Sequence, residues 1–243
     1  MAGSWWRDPT VDDGEEDATS DHAVRLWKSA CGTLMAPAPE EAWVQIEEHS
    51  APNTLWHSLK NCVAHQAGVW QNLLAKGMDD VIQPAAFKLA LVLRHTPTEV
   101  TTTLLNELLR LHPQAQDLTS YILTLLTDDE AGCKNCLPRG ENSPISPAPQ
   151  RDLQLFGDCE LAVLAAPMDQ YDNHSKLVRA EYSKLSQEHY IELRIKVLNQ
   201  FSQIPKVFHT PEFQHFEKAA RENIEREIRN LREELLTNHG KNI

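Results

Sequence analysis

Two carboxylates, Asp158 and Glu160, sit inside an otherwise apolar run, DLQLFGDCELAVL, from Asp152 to Leu164. Apolar surroundings drive carboxyl pKa values apart, so such a pair can divide general acid and general base work between its members. Imidazoles lie elsewhere. His57, Asn61 and His65 recur every four residues, which on a helix places them on one stripe. Arg94 and His95 close the stretch PAAFKLALVLRH, Pro84 to His95, whose profile is that of a buried central helix ending in a polar site. Cys133 and Cys136 make a lone CxxC; a zinc ribbon needs a second ligand pair at matching spacing, and the chain has none. No glycine-rich phosphate loop, nucleophile elbow or dinucleotide fingerprint is present either.

The elements that must position these residues read as helices. Residues 1–21 carry seven acidic side chains against Arg7, a run expected to be a disordered tail in which Trp5 and Trp6 could serve as a docking point. Helical spacing begins at His22 and stops ahead of Gly32. A short helix opens at Pro39-Glu40-Glu41, with acidic residues where the macrodipole favours them. A longer one is expected over Thr54 to Ala75 and would carry the His57, Asn61, His65 stripe. Thr96-Pro97-Thr98-Glu99 has the form of a capping box with proline at the first helical position. Leu118 to Thr127 reads as a helix, with a strand as the alternative. Residues 128–151 lose all periodicity and are expected to form a mobile insertion, with Ser143-Pro144 and Ser146-Pro147 as possible phosphorylation sites. Four helical pieces follow: Leu153 to Ala165, Tyr171 to Leu185, Glu188 to Gln203, and a long helix from Thr210-Pro211-Glu212. The last has an apolar stripe of Phe213, Phe216, Ala220, Ile224, Ile228, Leu231 and Leu235, packing along the domain's own core rather than in a coiled coil.

The fold class is therefore all-α, a single helical domain over 22–238. At 243 residues and 41% hydrophobic content the chain can bury a substantial core. A formal charge of −12 argues against a nucleic-acid partner, because phosphate backbones need a clustered positive surface. No window approaches the ~18 apolar residues of a membrane span, and no leader pattern opens the chain. Five cysteines without regular spacing fit a reducing compartment. A soluble, cytoplasmic protein is the expectation.

The C-terminal block carries a resemblance. DCELAVL, Tyr171, VRAEY (Val178 to Tyr182), Arg194 with Val197-Leu198, and Phe213, Glu217, Ala220 and Asn223-Ile224-Glu225-Arg226-Glu227 resemble the C-terminal half of the predicted metal-dependent HD-superfamily phosphohydrolases. The likeness extends over about Pro39 to Leu236, the N-terminal half by order and spacing only. It implies an HD-domain-like, phosphodiesterase-like helical bundle with a long C-terminal helix, holding a divalent metal (Mg²⁺, Mn²⁺ or Fe²⁺) on a His, a His-Asp pair and a later Asp. The metal positions it assigns are His57, Asn61, His95, Asp158 and Glu160. Several depart from the family's pattern. The early YHxxxHV motif stands as Trp56 to Val63 with Asn61 where a metal-binding His is expected, and the His-Asp pair stands as Arg94-His95. The late DxDL stands as Asp158-Cys159-Glu160-Leu161, both carboxylates present. A family glutamate corresponds to Glu99 across a shortened connection, so Glu99 and Arg94 are the positions assigned to catalysis.

Asn61 is a poor metal ligand, and Arg94 puts a permanent cation where another cation should sit. The expectation is a guanidinium in place of the metal, paired with Asp158 or Glu160, and a metal that is weakly bound or absent. The implied protein is a pseudoenzyme that binds a phosphorylated small molecule or a protein partner. Two alternatives stand beside it. One is an active phosphohydrolase of a nucleotide or phosphate monoester, using a shifted set of His57, His65, His95 and Glu160, with Arg94 gripping substrate phosphate. The other is a structural interaction module.

Overall fold

A computed structural model of the chain describes residues 15–49, 54–127 and 146–240, with side chains described between 22 and 237. Every regular element among them is helical. In chain order these are α1 (Glu15–Leu34), α2 (Pro39–His49), a π-helix (Leu59–Val63) leading into α3 (Ala64–Ala75), α4 (Pro84–Leu93), α5 (Thr98–Leu108), α6 (Ala115–Thr127), α7 (Gln150–Leu161) with a 3₁₀ turn (Ala162–Ala165), α8 (Met168–Glu181), α9 (Gln187–Gln203), a 3₁₀ turn (Gln214–Phe216) and α10 (Glu217–Gly240).

α4 is the hub. Phe87, Leu89, Ala90, Leu91, Val92 and Leu93 are completely buried, which follows from a helix apolar everywhere but at Lys88, whose amine reaches out to Ser29. α1 packs on α4 and α3, α6 lies against α4, and α10 packs along α9 and the Ala162–Ala165 turn. One hydrophobic core runs without a break from Ala23 in α1 to Leu231 in α10. A small satellite of Trp56, Cys62, Val163 and Val178 sits beside it.

Several boundaries differ from the periodicity. α1 begins at Glu15, inside the stretch expected to be a disordered tail, and runs through Gly32 to Leu34. Once Leu26 and Trp27 are anchored in the core, extending a helix costs far less than starting one. Residues 1–14, with the tryptophan pair, lie outside the described residues, as do Cys133, Cys136 and Ser143-Pro144 of the expected insertion. Ala148 is fully buried, so the end of that insertion belongs to the packed domain. Helix α6 settles the Leu118 to Thr127 stretch as helix.

The stretch from Thr54 does not enter a helix at once. Bends occupy Leu55 to Ser58, and a π-turn precedes α3, which ends in a Schellman-type closure at Gly77 (φ 65°), where Met78 N donates to Leu73 O at 2.9 Å. His57 therefore lies outside the helix, and the stripe with Asn61 and His65 does not form. At α5, Pro97 is the cap residue and no side chain caps it; the Thr101 hydroxyl donates back to Thr96 O instead. α10 begins at Glu217 rather than at Thr210, because the Thr210 hydroxyl and amide are drawn to Asp158.

Candidate functional site

The last turn of α4 and the bend that follows it bring three segments together. From α4 come Arg94 and His95, from the bend before the π-helix comes His57, and from the end of α7 comes Glu160. α4 places Arg94 at its own C-terminus, where the macrodipole favours a cation. The guanidinium reaches Glu160, with Nε and Nη2 each 3.1 Å from Oε2. Its Nη1 donates to Leu126 O at 3.3 Å, and its face lies 6.0 Å from the Phe156 ring. Only 13% of the Arg94 side chain and 23% of the Glu160 side chain are exposed, so the pair is largely withdrawn from solvent.

Asp158 goes elsewhere. Two residues from Glu160 on α7, it is buried and faces the loop ahead of α10. There it accepts from His209 N (3.0 and 3.1 Å), Thr210 N (2.7 Å) and Thr210 Oγ1 (2.6 Å). Burial raises its pKa above the ordinary carboxylate value, and the Thr210 and His209 bonds pull it back. Of the two partners expected for Arg94, the structure supplies Glu160. A separation of two on a helix turns side chains apart by more than a right angle, which is why the two carboxylates do not share a site.

His57 is held by a residue that spacing did not single out. Glu181, the last residue of α8, accepts from Leu55 N and His57 N on Oε1, both at 2.8 Å, and from His57 Nδ1 on Oε2 at 2.6 Å. Burial works to raise the Glu181 pKa, but the bonds from the His57 amide and ring outweigh it and leave the carboxyl below its ordinary value. There was a signal for it: an acidic residue in the last turn of a helix opposes the macrodipole, so a tertiary partner is needed to offset it.

His95 stands edge-on to His57, ring centroids 5.3 Å apart. Its Nε2 lies 3.2 Å from Cys62 Sγ. Burial, aided by the charges of His57 and Arg94, lowers the His95 pKa to about 3. Burial, with Glu160 adding, pushes the Cys62 thiol well above its ordinary value. The thiol and the imidazole are thus both held in their uncharged forms. Asn61 donates from Nδ2 to Leu55 O at 2.6 Å, closing the bend. His65 points into the satellite core beside Trp56, centroids 5.9 Å apart, with Nε2 enclosed. Glu99 is exposed on the first turn of α5.

Two clefts meet at Thr96. A small one of about 120 Å³ is bordered by His57, Ser58, His95 and Thr96. A larger one of about 370 Å³ is bordered by Arg94, Thr96, Thr98, Thr101 and Thr127, within the size range that holds small molecules. The metal set named by the resemblance does not assemble here: among the described residues no group of three or more His, Cys, Asp or Glu side chains converges as a metal site. Asn61 and Asp158 are engaged with backbone, His95 with Cys62, and Glu160 with Arg94. Among the described residues no helix is long and apolar enough to cross a membrane. Searches against family models, curated proteins and solved structures return no match to this chain.

Proposed function

We propose that this chain is a phosphohydrolase-like helical protein that works by binding rather than by hydrolysis, and that its ligand is a phosphorylated small molecule held in the cleft beside Arg94. The observation that carries the reading is the Arg94 to Glu160 pair at 3.1 Å. It stands where the resemblance expects a divalent metal, and a guanidinium supplies positive charge there without activating water. A planar fork of N–H donors suits phosphate oxygens. The same cleft opens on the first turn of α5, whose amides have no side-chain cap and whose macrodipole favours an anion.

The test is metal content after dialysis, together with turnover of p-nitrophenyl phosphate in added Mn²⁺ or Mg²⁺ and calorimetric titration with inorganic phosphate. The expected result is substoichiometric metal, no turnover, and phosphate binding that Arg94→Gln removes. Stoichiometric metal, or turnover abolished by Glu160→Ala, would establish the active phosphohydrolase instead. Absence of any phosphate binding would leave the interaction module as the better account.

A further inference from the structure

We propose that the segment from Thr54 to Ser58 is a strap that lifts off the domain as a unit while the main core stays folded, and that lifting it opens the small cleft into the larger one. The proposal holds whichever ligand the clefts take.

The strap is well bonded within itself and narrowly attached. Leu55 O accepts from Ser58 Oγ (2.9 Å) and Asn61 Nδ2 (2.6 Å), and Trp56 O accepts from Ser58 N (2.8 Å) and Cys62 N (2.9 Å). These bonds close within a few residues, so they keep the strap's shape wherever it goes. Across to α8 the bonds converge instead. Leu55 N, His57 N and His57 Nδ1 all meet the carboxylate of Glu181, at 2.8, 2.8 and 2.6 Å. Contacts gathered on one side chain are made or lost together, which makes this attachment all-or-none rather than graded.

The apolar anchor is equally narrow. Trp56 packs with Cys62, Val163 and Val178 in a cluster separate from the core that joins α1 to α10. Lifting the strap breaks that satellite and leaves the main core intact, and regions held by few buried apolar contacts open at lower free energy than the whole. His174 offsets part of the cost. Its ring is buried edge-on against Trp56, centroids 4.3 Å apart, with Nδ1 enclosed and lacking a hydrogen-bond partner. A buried polar atom left unpaired is destabilising, and water reaching it once Trp56 moves away removes that penalty.

The strap is also a wall. Thr54, His57 and Ser58 border the small cleft together with Val92, His95 and Thr96. Its volume of about 120 Å³ is below the range that holds small molecules. With the strap raised this cleft loses a side and joins the one of about 370 Å³ across Thr96, which borders both. The device is therefore a gate that sets how much of the combined site a ligand can reach.

Buried free thiols tell the two kinds of opening apart. Cys62 lies beside Trp56 in the satellite, whereas Cys31 and Cys159 lie in the main core. The test is modification of the full chain by N-ethylmaleimide under native conditions, followed thiol by thiol by peptide mass spectrometry. Each rate is divided by that of the same thiol in the urea-unfolded chain. Cys62 should react at least about tenfold faster than Cys31 and Cys159, and low urea should speed it less than it speeds them, because a local opening exposes less surface. Glu181→Ala removes the shared carboxylate and should speed Cys62 by about tenfold or more, as expected for lost bonds to a charged group. Cys62 reacting only as fast as Cys31 and Cys159 would show that the strap opens with the whole molecule, which overturns the proposal. So would a Cys62 rate that Glu181→Ala leaves unchanged, since another motion must then uncover the thiol. If Glu181→Ala does not fold, the wild-type rates and their urea dependence decide the matter. Either failure leaves the phosphate-binding reading as it stands, because no ligand enters the measurement.

Discussion

Asp158 and Glu160 show how two neighbouring residues of one type come to different work. Both lie on α7, yet Glu160 meets a guanidinium while Asp158 closes a loop by accepting backbone amides at His209 and Thr210. Asp158→Ala should leave the Thr210 amide and hydroxyl, both buried, without an acceptor and cost about 3 kcal/mol. Urea unfolding reads this as a lower midpoint, and phosphate affinity of the folded fraction should stay as in the wild type. Loss of phosphate affinity at unchanged stability would instead put Asp158 in the site. The apolar context of this pair and the polar end of α4 are both readable from composition along the chain. Which carboxylate meets Arg94 is not, because that depends on where the loop before α10 passes. Glu181 is hidden for a related reason: its partners are 126 and 124 residues away, and no local spacing encodes a contact of that length.

The helices carry a pH dependence through their buried imidazoles. Burial lowers His65 on α3 to about 4, and lowers His95 beyond α4 and His174 on α8 to about 3. For His174 the charge of Arg194 helps; the ring lies 4.3 Å from Trp56 and keeps an enclosed Nδ1 with no hydrogen-bond partner. A histidine whose folded pKa is depressed binds its proton more readily when unfolded. Its contribution to stability is therefore whole above the unfolded value of about 6.5 and is lost as pH falls toward the folded one. Urea midpoints should drop steadily from about pH 7 to about pH 4.5, before most carboxylates titrate. His174→Gln should flatten that slope, and an unchanged slope would remove His174 as a cause. Element boundaries were less legible than element existence. Ten helices follow from apolar spacing, while the starts of α3 and α10 were displaced by long-range hydrogen bonds that outcompete local caps.

At the scale of the whole molecule, α10 is tied to the rest by a buried polar hub. Glu227 accepts from Tyr171 Oη (2.5 Å), Ser175 Oγ (2.8 Å) and Arg194 Nε and Nη2 (2.8 and 3.0 Å). Burial works to raise its pKa, and the Arg194 bonds outweigh it. Glu227→Ala leaves Arg194 buried without its counter-charge and should cost about 3 kcal/mol or more. Because one core spans α1 to α10, that loss should lower a single transition. Tryptophan fluorescence and far-UV ellipticity should unfold together, and two separated transitions would contradict a single cooperative core. The charge of −12 and the all-helical class were plain from composition. The hub was not: Tyr171, Arg194 and Glu227 stand among the residues that carry the resemblance, but they lie on three different helices and no local spacing shows that they converge.

The π-turn at Leu59–Val63 sets a limit on chain length at this point. A π-turn holds one residue more than an α-turn of the same height, and here that surplus lets the bend from Trp56 to Ser58 swing back, with Cys62 N donating to Trp56 O and Val63 N to Ser58 O. Losing a single residue inside it would let the segment relax into ordinary helix and turn everything upstream by about 100° relative to α3. His57 would then face away from Glu181 although no residue touching either had been substituted. The count of residues between Trp56 and Ala64 is thus as much a part of the site as the side chains, and a shortened relative with every side chain intact would still lack it.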